Sequence, residues 1–509
     1  MTSVVDPKPS AVQADAAQEK QVTLLMQLHP DLTDATVEDV DKAVEISKEC
    51  FLKWSKLSIR DRVAYLRKVR KEIAASVDEI VDVIVEDTGK IPVEALVNEV
   101  LVTLELIKWY ENNVERILGN ERVSTGLLMA HKRGEIRYQP LGVVGIVSPW
   151  NYPLTLSMGP IMAALFAGNT VVVKPSEVTP HVGIEVAEIF RRVGEKNGQF
   201  ENLVQVVVGS GHVGEFIVRS KVNKVAFTGS VKTGKRVMSV ASETLKPVVL
   251  ELGGKDPMVV LDDANLDRAA KGAVWGAFTN SGQTCMAVER VYVHEKVFDK
   301  FVEKVVDITS KLRQGEGSNM DLGAMTWQRQ TDIVRRHLKD AIEKGAKVLV
   351  GGQDIVINSR QSVSPAVLVD VDHTMDIMTQ ETFGPVLPIM KFKDDEEGLA
   401  LANDSVYGLN SSVWGKDTSR IEYFVKNMQA GNVCVNDTMV SYAISALPFG
   451  GVGESGIGRT HGEEGLREMS QIKSVAYDRF NLKTEVQWMP IASWLEPMAK
   501  RLIKFRNRW

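Results

Sequence analysis

The chain has 509 residues, of which 44% are hydrophobic, a mean hydropathy of -0.08 and a net charge of -5. That is enough apolar material for a large core spread over two or more domains, and the intermixed charges leave no basic face of the kind that binds nucleic acid. Three cysteines, Cys50, Cys285 and Cys434, are too few and too scattered for a disulfide framework or a zinc site, which places the chain in a reducing, cytoplasmic setting.

Residues 1–20 are polar, carry Asp6, Lys8, Asp15, Glu19 and Lys20, lack the apolar centre of a secretory signal, and read as a disordered arm. From about residue 34 to 119, apolar residues recur at three- and four-residue spacing in three long segments. These are VEDVDKAVEISKECFLKW, then IRDRVAYLRKVRKEIAASVDEIVDVIVEDTG with Ser58 as its cap, then PVEALVNEVLVTLELIKWYENNVERILG. Cys50 reads as a core thiol on the first.

From residue 136, strand-length runs alternate with helical stretches: LGVVGIVSPW, TVVVKPS, LVQVVVGS, KVAFTGS and KPVVLELGG, with IMAALFAG and HVGIEVAEIFRRV among the segments between them. Near-continuous Val and Ile runs separated by helices predict parallel strands buried on both faces, hence a doubly wound α/β sheet. After Cys285 a second set follows: VERVYVHE, AKVLVGG, SPAVLVDV, VLPIMKF, NSSVWG and GNVCVND. Two α/β domains in tandem are the economical account. Cys434 alternates within its run and reads as core. Cys285 differs, because Ser281, Gly282, Gln283 and Thr284 precede it where a structural thiol would have large apolar neighbours. The eight histidines form no metal-like pair, no metal is expected, and His212 reads as a solvated loop residue.

Ligands of such sheets bind at the carboxyl ends of the strands. The first run closes with Ser148, Pro149, Trp150 and Asn151, the second with Lys174, Pro175, Ser176 and Glu177, and the third enters GSGHVG at 209–214. The dinucleotide fingerprint also needs an acidic residue closing the next strand, and that strand closes with FTGS. Glu177 is the available carboxylate for a ribose diol, while Gly229 and Ser230 open a segment that could bring N–H groups and a hydroxyl to a phosphate.

SPWNYP at 148–153, VVVKPSE at 171–177, FTGSVKTG at 227–234, LELGGKDP at 250–257, NSGQTC at 280–285, ETFGPV at 381–386 and PFGGVGESGIGR at 448–459 resemble the sequential signatures of the NAD(P)-dependent aldehyde dehydrogenase superfamily. They occur in that family's order and cover roughly residues 34–478. The resemblance implies a Rossmann-like NAD-binding domain over 21–133 and 141–252, a catalytic domain over 253–447, a small bridging β element for oligomerisation over 134–140 and 448–480, and a tail over 481–509. It also implies NAD-dependent oxidation of a small-molecule aldehyde to the carboxylate through a thiohemiacetal and a thioester. Cys285 matches the nucleophile, Asn151 the side-chain donor to the oxyanion, and Glu251 the base that activates water. Lys174 and Glu177 match the residues at the adenosine ribose, Ser230 and Trp150 those at the pyrophosphate, and Glu381 and Phe383 those at the nicotinamide ribose and ring. A carboxylate at Glu177 accepts from a 2′-hydroxyl but repels a 2′-phosphate, which favours NAD over NADP, with Lys174 beside it softening the penalty. Thr460 follows Arg459 where many members have a glutamate proposed as a proton relay, so the proton route from Glu251 is open. Acyl transfer to coenzyme A, and a non-catalytic member of the fold, are the competing readings; Glu251 argues against the first and the intact Cys285, Glu251 and Asn151 against the second.

GEIRYQP at 134–140 and KSVAYDRF at 473–480 are similar to the family's bridging strands and imply a homodimer or homotetramer. Beyond them, Trp488, Trp494 and Trp509 cluster near the carboxyl end, and Pro497 is placed to open a short helix. Met498, Leu502, Phe505 and Trp509 then share one face, with Lys500, Arg501, Lys504 and Arg508 mostly on the others. This is the pattern of a cationic amphipathic helix at a membrane surface, with medium- to long-chain aliphatic aldehydes as the substrates; packing against a partner subunit or over the substrate mouth is the alternative.

Overall fold

The computed structural model describes residues 23–486 and 488–507. The expected arm 1–20, and Arg508 and Trp509 of the tail, lie outside them. The chain forms two compact units, Met1–Ile117 with Pro140–Ser470, and Leu118–Gln139 with Gln471–Trp509, so the expected bridging range 448–480 is divided between the two.

The larger unit opens with the predicted helices. Val37–Trp54 starts on a capping box in which Thr36 accepts from Asp39 N, and Ile59–Ala75 starts on Ser58, which accepts from Asp61 N at 3.1 Å. The second predicted helix is in fact two, because Ser76 leaves the helical region (φ -100°, ψ 23°) before Val77–Thr88 resumes. The third carries a wide π turn over Ala95–Leu101 before continuing as Val102–Ile117. Such turns displace one register of the backbone ladder and recur at functional sites.

Its first sheet has the order Gly456–Ile457, Val248–Glu251, Lys224–Thr228, Val143–Val147, Thr170–Lys174, Val204–Val206. Every pairing is parallel except that of the two-residue edge strand. Val143–Val147 and Thr170–Lys174 are buried at every position, as strands covered on both faces must be.

The second sheet has the order Lys347–Val350, Ala366–Val369, Val386–Phe392, Val288–His294, Asp256–Val260, Asn410–Trp414, Asn432–Val435, parallel throughout except for its first strand. One core holds the helices Leu266–Phe278 and Phe298–Thr309 against it; another includes Val334, Leu338, Phe392 and Phe424. The structure therefore has the predicted α/β class with two doubly wound sheets. Cys434 is buried in the last strand and Cys50 lies half-buried on its helix, where burial raises its thiol to about 11.

The smaller unit contains a three-stranded sheet of Glu121–Val123, Lys132–Pro140 and Ser470–Asp478, with the last strand at its edge and largely exposed. Glu485 ties the following segment back through His131 and Lys132. A helix spans Leu495–Arg506, beginning two residues before Pro497.

Candidate active site

The carboxyl ends of four adjacent parallel strands of the first sheet converge on one edge. Val143–Val147 leads to Trp150 and Asn151, Thr170–Lys174 to Glu177, Lys224–Thr228 to Gly229 and Ser230, and Val248–Glu251 ends on Glu251 itself. Cys285 comes from the other half of the unit, in the loop between the helix Leu266–Phe278 and the strand Val288–His294.

That loop has an unusual backbone. Asn280, Ser281 and Gly282 are all left-handed, with φ of 52°, 53° and 72°. For the two residues with side chains this is strained and persists only where surroundings fix it. Glu94 accepts from Asn280 N at 2.6 Å and from Thr279 Oγ1 at 3.0 Å. Asn280 Nδ2 donates to Asn151 O at 3.0 Å, Ser281 Oγ to Gly323 O at 2.8 Å, and Gln283 Oε1 accepts from Thr326 N at 2.9 Å. At Gly282 a Cβ would lie 2.2 Å from Gly384 O, so only glycine fits. The polar run before Cys285 is thus the clamp of its loop.

Cys285 Sγ donates to Glu251 Oε1 at 3.2 Å. Glu251 is buried and its carboxyl is pushed up to about 7 by that burial, offset in part by hydrogen bonds from Cys285 and Thr228. The thiol is pushed well up, first by burial and then by the charge of Glu251. A thiol and a carboxylate in contact, the second poised near neutrality, can exchange a proton. Asn151 is buried and donates through Nδ2 to Gln283 O at 3.0 Å, which leaves the second hydrogen of that amide for another acceptor. Behind Glu251 lies a cavity of ≈ 20 Å³ lined by Thr228, Tyr442, Thr460 and His461. It is large enough for a water, and His461 Nδ1 is buried without a hydrogen-bond partner among the described residues. Thr460, which stands where many family members have a glutamate, thus lines a cavity shared with Glu251 and His461.

The residues matched to the cofactor fall into three groups. Lys174 Nζ donates to Glu177 Oε2 at 3.0 Å and to Pro175 O at 2.9 Å, so the lysine is already paired by the carboxylate beside it. Ser230 caps the helix Val231–Ser242, whose first-turn N–H groups have no intrahelical partner. The Gly229 N–H, by contrast, is engaged by Glu251 O at 3.0 Å, and a Cβ on Gly229 would meet the Phe227 ring at 2.7 Å. This glycine anchors the turn to the strand of Glu251. Nearest Cys285, Glu381 Oε1 accepts from Gly254 N at 3.1 Å with its carboxyl raised by burial to about 8, and Phe383, at φ 50°, sets its ring 5.3 Å from Trp150. The set fits a dinucleotide: a carboxylate for a diol, a helix terminus for phosphate, and the paired rings of Trp150 and Phe383 for a planar ring. The GSGHVG turn does not join it. Asp34 accepts from Ser210 N at 2.5 Å at the start of the helix Gly211–Arg219, placing a carboxylate where a phosphate would otherwise bind, and the exposed His212 lies 3.6 Å from it.

Sequence reasoning missed a buried ionic scaffold. Lys90 Nζ pairs with Glu99 Oε1 at 2.5 Å and donates to Asn151 O at 2.9 Å, while Glu99 Oε2 accepts from Leu154 N at 2.8 Å. Lys255 pairs with Glu289, which accepts from Thr382 N and Phe383 N at 2.8 and 2.7 Å. The available signal was Glu99, within the π turn at a position that the apolar periodicity of its helix places inside.

A family model described as "Aldehyde dehydrogenase family" matches residues 27–475. The chain is 41% identical over 448 residues to 4,4'-diapolycopene aldehyde oxidase of Methylomonas sp, covering 88% of this chain and 83% of that protein. It is 35% identical over 446 residues to succinate-semialdehyde dehydrogenase [NADP(+)] 1 of Schizosaccharomyces pombe, covering 87% of this chain and 88% of that one. Among solved structures, an NAD-dependent aldehyde dehydrogenase from Sinorhizobium meliloti superposes with a TM-score of 0.84 at 32% identity, covering 90% of this chain and 89% of that one. Lactaldehyde dehydrogenase from Escherichia coli gives 0.83 at 33% identity, covering 88% and 92%. With the site geometry, these matches establish that the chain belongs to the aldehyde dehydrogenase family.

Proposed function

We propose that the protein oxidises a medium- or long-chain aliphatic aldehyde to its carboxylate with NAD, through a thioester on Cys285. The observation that carries this reading is the Cys285–Glu251 contact at 3.2 Å, with Asn151 held at the same loop by Gln283 O. Glu251 takes the thiol proton and the thiolate adds to the aldehyde carbon. The carbonyl oxygen, now charged, accepts from the free amide hydrogen of Asn151 and from the Cys285 N–H. The oxidised nicotinamide supplies the hydride acceptor. Cys285 then carries an acyl group. Glu251, having passed the thiol proton to solvent, removes a proton from the attacking water and returns it to the departing Sγ, which restores the thiol, while the acid leaves and gives up its own proton to solvent. Glu177 supports NAD, because its carboxylate, already satisfied by Lys174, would face a 2′-phosphate as a like charge.

The chain length of the substrate is supported by similarity to a relative named for a diapolycopene aldehyde, and by the apolar surface described below. Other relatives are named for semialdehydes and lactaldehyde. An assay of NADH formation across aliphatic aldehydes from two carbons upward, with and without coenzyme A and with NADP in place of NAD, tests the reading. Rising kcat/KM with chain length, NAD preference and no dependence on coenzyme A are expected; acyl-coenzyme A as the product would overturn hydrolysis. The exposed edge strand Ser470–Asp478 supports assembly, since an uncovered edge pairs readily with another chain. Light scattering at micromolar concentration should give a dimer or a tetramer.

A further inference from the structure

The helix Leu495–Arg506 has no buried residue. At 3.6 residues per turn, Leu495, Met498, Leu502 and Phe505 fall on one face. Phe505 is 73% exposed, Met498 44% and Leu502 37%. Arg501 and Arg506 border that face on its two sides, with Lys500 and Lys504 behind. Lys500 pairs with Glu496 at 2.5 Å; among the described residues, Arg501, Lys504 and Arg506 form no ion pair. The preceding segment exposes Trp488, Met489, Ile491 and Trp494, each more than half open. Its acidic members are consumed within the unit, Glu485 by Lys132 and His131 and Asp478 by Lys132. The surface that remains is apolar and aromatic with a basic border.

We infer that this surface docks on an anionic lipid membrane, the helix lying in the interface with Met498, Leu502 and Phe505 toward the acyl chains and the bordering Arg501 and Arg506 on lipid phosphates. The arginines flanking the apolar face can extend their charged ends to the headgroups while their stems stay in apolar surroundings. A second copy of the chain is the poorer occupant, because a two-fold contact through this face would set the bordering arginines of one copy against those of the other. No helix among the described residues is long and apolar enough to cross a membrane, so the contact is peripheral. Resting on the active-site reading above, this location would present the enzyme to aldehydes dissolved in the lipid phase.

The test is sedimentation of the full chain with vesicles of phosphatidylcholine alone and of phosphatidylcholine with phosphatidylglycerol. The full chain should sediment with the anionic vesicles at least about tenfold more strongly, and lose that binding in high salt. Arg501→Gln and Arg506→Gln together should weaken it about 25-fold, about fivefold for each basic side chain. Phe505→Asp should also abolish it while leaving the light-scattering mass unchanged. Equal binding to both vesicle types, or no binding by the full chain, overturns the inference. So does a loss of oligomer mass in Phe505→Asp with vesicle binding intact, which would identify a second copy as the occupant. Turnover of a short, soluble aldehyde by each variant should match the parent, which separates failure of this inference from failure of the catalytic reading.

Discussion

Replacing Glu251 by Gln separates the two half-reactions. The glutamine keeps an oxygen able to accept from Cys285 Sγ, now 3.2 Å from the carboxylate, but cannot take a proton. Loss of a positioned base costs about 10²–10⁴-fold in the step it serves. Deacylation depends on it most, since water is a weaker nucleophile than a thiol. The variant should therefore release about one NADH per site in a burst and then turn over about 10²–10⁴-fold slower. The wild-type pH profile gives an independent check. With the Glu251 carboxyl raised by burial to about 7, the active form is the carboxylate, so steady-state turnover must rise with pH. About a tenth of the carboxyl is ionised one unit below that value and about nine-tenths one unit above, an increase of about tenfold from pH 6 to 8. In the glutamine variant this limb should vanish. Stopped-flow fluorescence of NADH measures burst and steady state together; steady turnover within threefold of the parent, or an unchanged pH limb, would refute the role given to Glu251.

Cys285→Ala should abolish NADH formation yet bind NAD nearly as tightly as the parent by calorimetry, because Glu177 and Ser230 sit on other strands. Glu177→Ala, with Lys174 freed of its 3.0 Å partner, should raise kcat/KM for NADP relative to NAD by at least about tenfold, the equivalent of about 1.4 kcal/mol; an unchanged ratio would remove Glu177 from the ribose site. Lys90→Met leaves a buried Glu99 carboxylate without its cation and should cost about 3–5 kcal/mol in chemical denaturation, whereas Lys90→Met with Glu99→Leu should recover much of the loss. Gly282→Ala places a Cβ 2.2 Å from Gly384 O and should lower turnover by displacing the Cys285 loop, with little change in NAD binding.

The architecture was legible where one physical demand dominated the local sequence. Parallel strands buried on both faces need apolar side chains at nearly every position, and Val143–Val147 or Thr170–Lys174 meet that demand in plain sight. Asp256–Val260, central in the second sheet, is not among the strands the sequence suggests; Pro257 and the opening aspartate are unusual in a central strand. The break at Ser76 was hidden because the apolar periodicity continues across it. In the site, Cys285, Glu251 and Asn151 stood out through the motifs around them, and the structure brings them together. Lys90, Glu94, Glu99 and Glu289 did not, since charged residues on amphipathic helices and strands ordinarily face water. Their burial is a property of the packed loops they support, and apart from Glu99, which falls on the apolar side of its helix, no local pattern announces it. The Gly229 N–H was read as a phosphate ligand because sequence reveals a turn but not which acceptor its amide meets.

The most direct test of the central claim is to mix the enzyme with one equivalent of NAD and excess long-chain aldehyde in the Glu251→Gln background, quench at the end of the burst, and map the modified peptide by mass spectrometry. The account predicts an acyl group, two hydrogens lighter than the simple aldehyde adduct, on Cys285 at a stoichiometry matching the NADH released. NADH release with Cys285 unmodified, or the acyl group on Cys50 or Cys434, would contradict it.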